Sequence, residues 1–321
     1  MSYKTVHAQS IQDPHAFWGE EAKHIHWEKP FDTVLDYSKP PFAHWFKGGL
    51  TNLCYNAVDR HLAERGDQIA LVAVSTETDI EKAYTFKELH AEVNRMAAIL
   101  KANGVGKGDR VLIYMPMIAE ASFAMLACVR IGAIHSVVFG GFASHSLASR
   151  IEDATPKMII TAEAGMRGGK AVPYKPLLDE AIALSSYKPA KVLIVNRGLT
   201  EFVMVDGRDL DYTAERLAHL NAEVPVEWVD ATHTSYILYT SGTTGKPKGV
   251  QRDTGGYAVA LASAMRLIFC GKPGETMFTT SDIGWVVGHS FIIYGPLING
   301  TATIMYEGTP LRPDGGIWWS L

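Results

Sequence analysis

The residues with the clearest chemical potential lie at positions 240–249, directly after an apolar run at 235–239. These ten residues include four hydroxyl side chains, three glycines and two lysines. Glycines let successive N–H groups approach phosphate oxygens closely, and hydroxyl and ammonium groups add donors and positive charge. The pattern predicts a loop that binds the phosphates of a nucleoside triphosphate. The predicted phosphate-binding residues are Thr240, Ser241, Gly242, Thr243, Thr244, Gly245, Lys246 and Lys248.

This loop does not match the Walker A pattern. That pattern needs a glycine five residues before its last glycine and a Ser or Thr directly after the lysine. Here Thr240 stands at the first of these positions, and Pro247 follows Lys246. A P-loop NTPase or kinase is therefore disfavoured. The remaining alternative to phosphate binding is an ordinary Gly/Thr-rich turn after a strand.

Two further groups of residues could bind ligands. Arg167 and Lys170 flank two glycines, and a basic pair beside Gly-Gly suits a phosphate. From these residues alone, a solvated basic loop is an equally good interpretation. His24 and His26 could share one face of a strand, but a third metal ligand is missing, so a solvated loop is favoured and no metal site is predicted.

The elements that must position these residues form a regular alternation after about residue 52. Thr85 and Glu88 form a capping box that opens a helix ending near residue 103, and Ser144 is expected to cap a helix at 147–153. Short Val/Ile-rich strands alternate with helices, which indicates a parallel sheet covered on both faces. The stretch 198–230 is either a surface excursion or a small strand insertion. The predicted strands are 109–115, 135–139, 157–161, 191–196 and 235–239, and the other helices are 52–64, 118–131 and 176–184.

Composition excludes several classes of protein. The 321 residues are 47% hydrophobic, which is typical of a soluble globular chain. The 30 Lys and Arg residues do not exceed the 34 Asp and Glu residues, so there is no basic excess that would favour binding to nucleic acid or an anionic membrane. The longest apolar runs are shorter than a bilayer span, and the N-terminus lacks a targeting pattern. Three scattered cysteines, with Cys128 expected in the core, fit a reducing compartment. The predicted location is the cytoplasm; the oligomeric state is left open.

Residues 239–250 resemble the signature loop of adenylate-forming enzymes, in particular the acyl-CoA synthetases. The similarity extends from about residue 14 to the end, and residues 1–60 resemble the N-terminal region of acetyl- and propionyl-CoA synthetases. Residues 61–321 resemble the AMP-binding domain. The resemblance implies an α/β fold with mixed, mostly parallel sheets and helices on both faces, incomplete at the C-terminus. Its other motifs are FGGFA (139–143), AEAGMRGGK (162–170), SDIGWVVGHS (281–290), YGPL (294–297) and YEG (306–308).

The same resemblance implies a two-step reaction. A short-chain carboxylate attacks the α-phosphate of ATP to give acyl-AMP and pyrophosphate, and the thiol of coenzyme A then displaces AMP. ATP, Mg²⁺ and coenzyme A are the implied substrates and ion. The residues at 251–253 and 285–288 look more like the propionyl than the acetyl type, so propionate is the expected substrate and acetate the alternative. A non-catalytic nucleotide- or CoA-binding fragment is the alternative from another class.

The resemblance also assigns roles to residues outside the phosphate loop. Trp285, Val286 and Gly288 match the acyl pocket, whereas Val287 lacks the hydroxyl found in the acetyl type and receives no role. Core packing is the alternative for Trp285 and the preferred interpretation for His289. The residues that match the family's contact with the phosphorylated end of coenzyme A are Arg167, Gly168, Gly169 and Lys170.

The family's catalytic lysine falls after Leu321, so no catalytic residue is predicted within these residues. Residues 313–321 look like a cap and the first turn of an amphipathic helix, and a natural domain rarely stops there. The expectation is that the parent protein is an acid–thiol ligase and that the isolated chain has little or no activity.

Overall fold

The computed structural model describes residues 2–240 and 247–321. Its strands are β1 (Thr33–Lys39), β2 (Phe42–Lys47), β3 (Leu50–Thr51), β4 (Ile69–Ser75), β5 (Ile80–Thr85), β6 (Arg110–Tyr114), β7 (Ile134–Val138), β8 (Met158–Ala162), β9 (Ala164–Arg167), β10 (Lys170–Pro173), β11 (Lys191–Val195), β12 (Asp209–Asp211), β13 (Val229–Asp230), β14 (Thr234–Thr240), β15 (Lys248–Asp253), β16 (Thr276–Phe278) and β17 (Ala302–Glu307). Its α-helices are α1 (Tyr3–Gln12), α2 (Pro14–Glu21), α3 (Leu53–Ala57), α4 (Leu62–Arg65), α5 (Phe86–Ala102), α6 (Ala119–Arg130), α7 (Ser144–Ala154), α8 (Tyr174–Leu184), α9 (Tyr212–Ala218), α10 (Gly255–Leu267), α11 (Val286–Gly288), α12 (Gly295–Ile298) and α13 (Ile317–Ser320), with a π-helical turn at His289–Tyr294.

Within these ranges the larger sheet, called the large sheet below, has the strand order β12-β11-β8-β6-β7-β14-β15. Its strands run parallel from β12 to β14, and β15 is antiparallel to β14 at the edge. The central strands are nearly continuous runs of Val, Ile and Leu because both of their faces are buried. The prediction of a mostly parallel sheet is confirmed.

Helices cover both faces of the large sheet, as predicted. On one face α7 and α8 pack Leu147 and Leu178 against Leu112, Ile159 and Val192. On the other face α6 packs on β6 and β7, and α5 packs on α6. The far side of α5 contacts β4 and β5. These two strands belong to a second sheet, called the small sheet, with the order β16-β17-β4-β5.

Several local predictions can be compared directly with the structure. The capping box of Thr85 and Glu88 is present at the start of α5. The prediction that Ser144 caps a helix is wrong: Ala143 is the N-cap, and Ser144 begins α7 and donates its hydroxyl to the Glu180 carboxylate. The predicted helix 52–64 is broken at Val58 into short helical pieces. The stretch 198–230 contributes β12, which lies beside β11, and α9.

The N-terminal residues attach to the body through aromatic packing. Trp27, Phe31 and Phe46 form a cluster with ring centroids 5.0–5.5 Å apart, and Phe46 is buried. These rings therefore attach the N-terminal residues by packing against one another and against the core. Helix α1 was not predicted, because it buries no residue and so carries no clear apolar face.

Cys54 and Cys128 are buried and Cys270 is exposed, so the expectation of a core thiol at Cys128 is confirmed. Throughout residues 2–240 and 247–321, we find no helix with the length and apolarity required to cross a bilayer.

Candidate functional site

The carboxyl ends of strands from both sheets meet around one cavity. The cavity has a volume of about 600 Å³ and lies where β6 and β7 of the large sheet face β16 and β17 of the small sheet. Ligands of open α/β sheets bind outside the carboxyl ends of the strands, where adjacent connections diverge. The residues that line it include Met115, Phe139, Gly141, Arg167, Tyr174, Ser281, Asp282, Tyr306 and Glu307.

The predicted phosphate loop leaves the same edge of the large sheet. Tyr236 of β14 is paired with His135 of the parallel strand β7. Thr240 is the last residue of β14, and Phe139, which lines the cavity, directly follows β7. Thr240 and Lys248 are exposed and face each other across the β14–β15 pair. The other predicted phosphate-binding residues, at 241–246, lie outside the described residues.

Arg167, Gly168, Gly169 and Lys170 form the tip of a tight hairpin between β9 and β10. Arg167 and Lys170 are paired, and the two glycines between them have φ values of +63° and +79°. A two-residue hairpin turn of this type requires positive φ at both central positions, which favours Gly-Gly. The turn itself therefore needs these glycines, whether or not a phosphate binds. Arg167 and Lys170 are exposed.

The hairpin tip contacts the small sheet through Glu77. The Gly168 and Gly169 N–H groups donate to the two carboxylate oxygens of Glu77 at 2.9 and 2.6 Å. Arg312, which follows β17, also lies at the tip. One guanidinium nitrogen of Arg312 lies 2.5 Å from the position that a Cβ on Gly169 would occupy.

A buried carboxylate, Glu307, joins the two sheets beside the cavity. It accepts two hydrogen bonds from Arg197 at 2.8 and 2.6 Å and one from the Ser75 hydroxyl at 2.7 Å. Only 4% of Glu307 is exposed, and its pairing with Arg197 satisfies both charges within the interior. Because Arg197 follows β11 of the large sheet, this ion pair fixes the relative position of the two carboxyl edges.

The segment of the predicted acyl pocket lies against Phe139. Trp285 packs its ring 5.7 Å from the Phe139 ring, but 49% of Trp285 and 41% of Val286 are exposed, while Gly288 is buried. Trp285 and Val286 are therefore beside the 600 Å³ cavity, not in its wall. Core packing is therefore not the role of Trp285. His289 is fully buried, which agrees with the core-packing interpretation preferred for it.

Burial perturbs several titratable groups near this segment. Burial lowers the pKa of His289 to about 4, so its imidazole is neutral at pH 7. Its Nδ1 lies 3.1 Å from the Trp285 carbonyl oxygen. Burial also raises the pKa of the Asp282 carboxyl, although the Gly284 N–H partly offsets this effect by donating a hydrogen bond to it. Burial raises the pKa of Tyr114, beneath the cavity, to about 12.

The weaker candidates do not form a metal site. His24 is exposed, and His26 packs on Tyr55 and Trp228 with ring centroids 4.6 and 5.5 Å away. Within residues 2–240 and 247–321, no group of three His, Cys, Asp or Glu side chains comes together in a way that could hold a metal ion.

Sequence reasoning missed Glu77, Glu307 and Arg312. Glu77 lies 91 residues before Gly168, and Glu307 lies 110 residues after Arg197, so no local pattern links these partners. Glu307 lies within the YEG motif at 306–308, which is the one signal in the sequence that could have pointed to it.

Comparison with known proteins identifies the family. Residues 58–321 match the model of the AMP-binding enzyme family, and residues 3–57 match the acetyl-coenzyme A synthetase N-terminus. The chain belongs to the AMP-binding enzymes. The structure resembles that of acetoacetyl-CoA synthetase from Streptomyces lividans, with a TM-score of 0.90 and 29% identity over 99% of this chain and 48% of that chain.

Other AMP-binding enzymes are more similar in sequence. The chain is 60% identical to propionate–CoA ligase of Salmonella typhimurium over 321 residues, which are 100% of this chain and 51% of that protein. It is 48% identical to acetyl-coenzyme A synthetase of Xanthobacter autotrophicus over 322 residues, covering 99% of this chain and 49% of that protein. The chain thus spans about half the length of the curated relatives it matches.

Proposed function

We propose that the protein carrying this sequence is a cytoplasmic ligase that activates a short-chain carboxylate with ATP and transfers the acyl group to coenzyme A. The observation that carries the proposal is the convergence of three candidate segments on one edge. The phosphate loop follows β14, the basic hairpin follows β8, and the Trp285 segment packs on Phe139 after β7. Residues 1–60 act as an N-terminal layer on the AMP-binding domain at 61–321.

In the first step, a carboxylate oxygen bonds to the α-phosphorus of ATP, and the bond from that phosphorus to the bridging oxygen breaks to release pyrophosphate. The chain's contribution is to neutralise the leaving charge, through the loop that Thr240 and Lys248 flank. Mg²⁺ would arrive bound to the ATP phosphates. In the second step, the sulfur of coenzyme A bonds to the acyl carbon, AMP leaves, and the thiol proton passes to solvent.

Propionate is the proposed substrate, because the relative at 60% identity is named a propionate–CoA ligase. Acetate is the second candidate, since the acetyl-coenzyme A synthetase at 48% identity also covers 99% of this chain. One methylene is worth about 1–3 kcal/mol in an apolar pocket, so the two acids should differ by roughly 10- to 200-fold in kcat/KM.

The test is pyrophosphate release by the protein at its natural full length, with ATP, Mg²⁺ and propionate, acetate or butyrate, followed by AMP release on adding coenzyme A. We expect both products, with propionate fastest. The 321-residue chain assayed alone is expected to give little turnover, because the curated relatives are about twice as long. Binding of ATP or coenzyme A by the full-length protein without pyrophosphate release would favour a non-catalytic binding protein.

Reversing the charge of Arg167 should weaken the use of coenzyme A specifically. We expect Arg167→Glu to raise the KM for coenzyme A roughly tenfold, because a phosphate then meets a carboxylate in place of a guanidinium. The KM values for ATP and propionate should not change. The matched control is Lys39→Glu on the β1–β2 hairpin, which packs near α2 and α10. An unchanged KM for coenzyme A in the Arg167 variant would remove this hairpin from the proposed site.

A further inference from the structure

The N–H groups of Gly168 and Gly169, called the tip amides below, already bind an anion. Both donate to the Glu77 carboxylate, one to each oxygen, at 2.9 and 2.6 Å. Adjacent amides that converge in this way form an anion-binding site. The acceptor is a side chain of the small sheet, 91 and 92 residues away along the chain.

The turn between β4 and β5 fixes the position of Glu77. The Ser75 hydroxyl oxygen accepts hydrogen bonds from the N–H groups of Glu77 at 3.3 Å and Thr78 at 3.1 Å. The same hydroxyl donates to the buried Glu307 at 2.7 Å. Glu77 is therefore held at the hairpin tip by the small sheet, independently of the hairpin's own turn.

Three cationic side chains belong to or lie beside the hairpin tip. Arg167 and Lys170 flank the two glycines, and the Arg312 guanidinium lies against Gly169. In residues 2–240 and 247–321, neither a salt bridge nor a side-chain hydrogen bond engages any of these three cationic groups. The tip amides thus hold one carboxylate, while the Arg312 guanidinium, which lies against Gly169, has no acidic partner within the described residues. An anion with more charge, such as a phosphate monoester, suits this surrounding better.

We propose that the Glu77 carboxylate is an internal anion that occupies the tip amides in the free protein. The phosphate-bearing end of coenzyme A binds by displacing this carboxylate from the tip amides. The identity of the ligand rests on the proposed function, whereas the occupancy of the tip amides does not. Glu77 then lowers the affinity for coenzyme A, because its carboxylate competes for the same donors and repels the incoming phosphate.

The decisive variant is Glu77→Gln, which keeps the size and shape of the side chain and removes its charge. We expect it to bind coenzyme A about two- to fivefold more tightly, the range typical of one exposed charge interaction. Dephospho-coenzyme A, which lacks the ribose phosphate, should bind equally to variant and wild type. The matched control is Glu81→Gln, which removes the same charge from β5 of the same hairpin. Affinities are measured by calorimetry on the protein at its natural full length.

Equal or weaker binding of coenzyme A by Glu77→Gln would overturn the proposal. Weaker binding would indicate instead that Glu77 stabilises the β9–β10 hairpin. A second readout needs no ligand: in ¹⁵N-glycine-labelled protein, the amide protons of Gly168 and Gly169 should shift in Glu77→Gln but not in Glu81→Gln. Unchanged amide shifts would also overturn it. If the wild type binds no coenzyme A while these shifts occur, the proposed function fails, but the binding of Glu77 to the tip amides stands. Inorganic pyrophosphate is then the probe for competition with Glu77 at these amides.

Discussion

Replacing Glu307 with alanine is expected to lower the free energy of unfolding by about 3–5 kcal/mol. The carboxylate is buried and accepts hydrogen bonds from Arg197 and Ser75. Its removal leaves the Arg197 guanidinium, of which only 11% is exposed, without its counter-charge in the interior. An unpaired buried charge costs more than the original pair contributes, because the desolvation of the remaining ion is no longer offset.

The control is an exposed ion pair of the same chemistry. Asp67 and Lys87 pair at 2.9 Å with side chains 89% and 58% exposed, so Asp67→Ala should cost less than about 1 kcal/mol. The double variant Glu307→Met, Arg197→Met should be more stable than Glu307→Ala alone, since it leaves no unpaired charge. Urea unfolding of all three variants measures these differences. A loss for Glu307→Ala no larger than that for Asp67→Ala would mean that water reaches Arg197 and that the pair does not join the sheets.

The large sheet was predictable because its signals are local. Its buried parallel strands are short Val/Ile runs, and β6 and β7 are each followed within a few residues by a helix, α6 and α7 respectively. The small sheet was not predicted. Its central pairing joins β4 to β17 across more than 200 residues of sequence, and no local pattern specifies such a partner.

Some residues of the candidate site can also be recognised from local sequence, and others cannot. The phosphate loop and the basic hairpin are recognisable because glycines, hydroxyls and cations stand next to each other in the chain. The sequence interpretation assigned Gly168 and Gly169 to a ligand, yet the hairpin turn already requires both of them. Glu77 and Arg312 reach the same tip from the small sheet and from the segment after β17. Their contribution depends on the packing of two sheets, which the one-dimensional pattern does not encode.

Two glycines hold the Trp285 segment in place by close backbone contact. A Cβ on Gly284 would lie 2.8 Å from the Phe139 Cα, and one on Gly288 would lie 2.1 Å from the Asp282 carbonyl oxygen. The Trp285 N–H donates to that same carbonyl at 3.0 Å, so the segment folds back on itself as a tight turn. Backbone atoms cannot move aside as a flexible side chain can, and any side chain at Gly288 must displace the turn.

Gly288→Ala is therefore expected to lower the free energy of unfolding by about 3 kcal/mol, at the upper end of the cost of overpacking. If the Trp285 segment lines the acyl pocket as proposed, its displacement should also lower kcat/KM for the carboxylate roughly 100-fold, because misplacement by about 1 Å has that effect on positioned reactants. Gly106→Ala is the matched control. Its Cβ would find only the Asp109 carboxylate, at 4.0 Å, and should change stability by less than about 0.5 kcal/mol.

Urea unfolding and steady-state kinetics on both glycine variants separate the structural and catalytic parts of this prediction. A Gly288→Ala protein as stable as Gly106→Ala would contradict the close contact with Asp282. A destabilised variant with unchanged kcat/KM for propionate would support the close contact but would mean that the acyl pocket is not formed by residues 285–288. We expect Gly288→Ala to lower both the free energy of unfolding and kcat/KM for propionate, and to leave the KM for ATP unchanged. The phosphate loop follows β14, which is separate from the turn at Asp282.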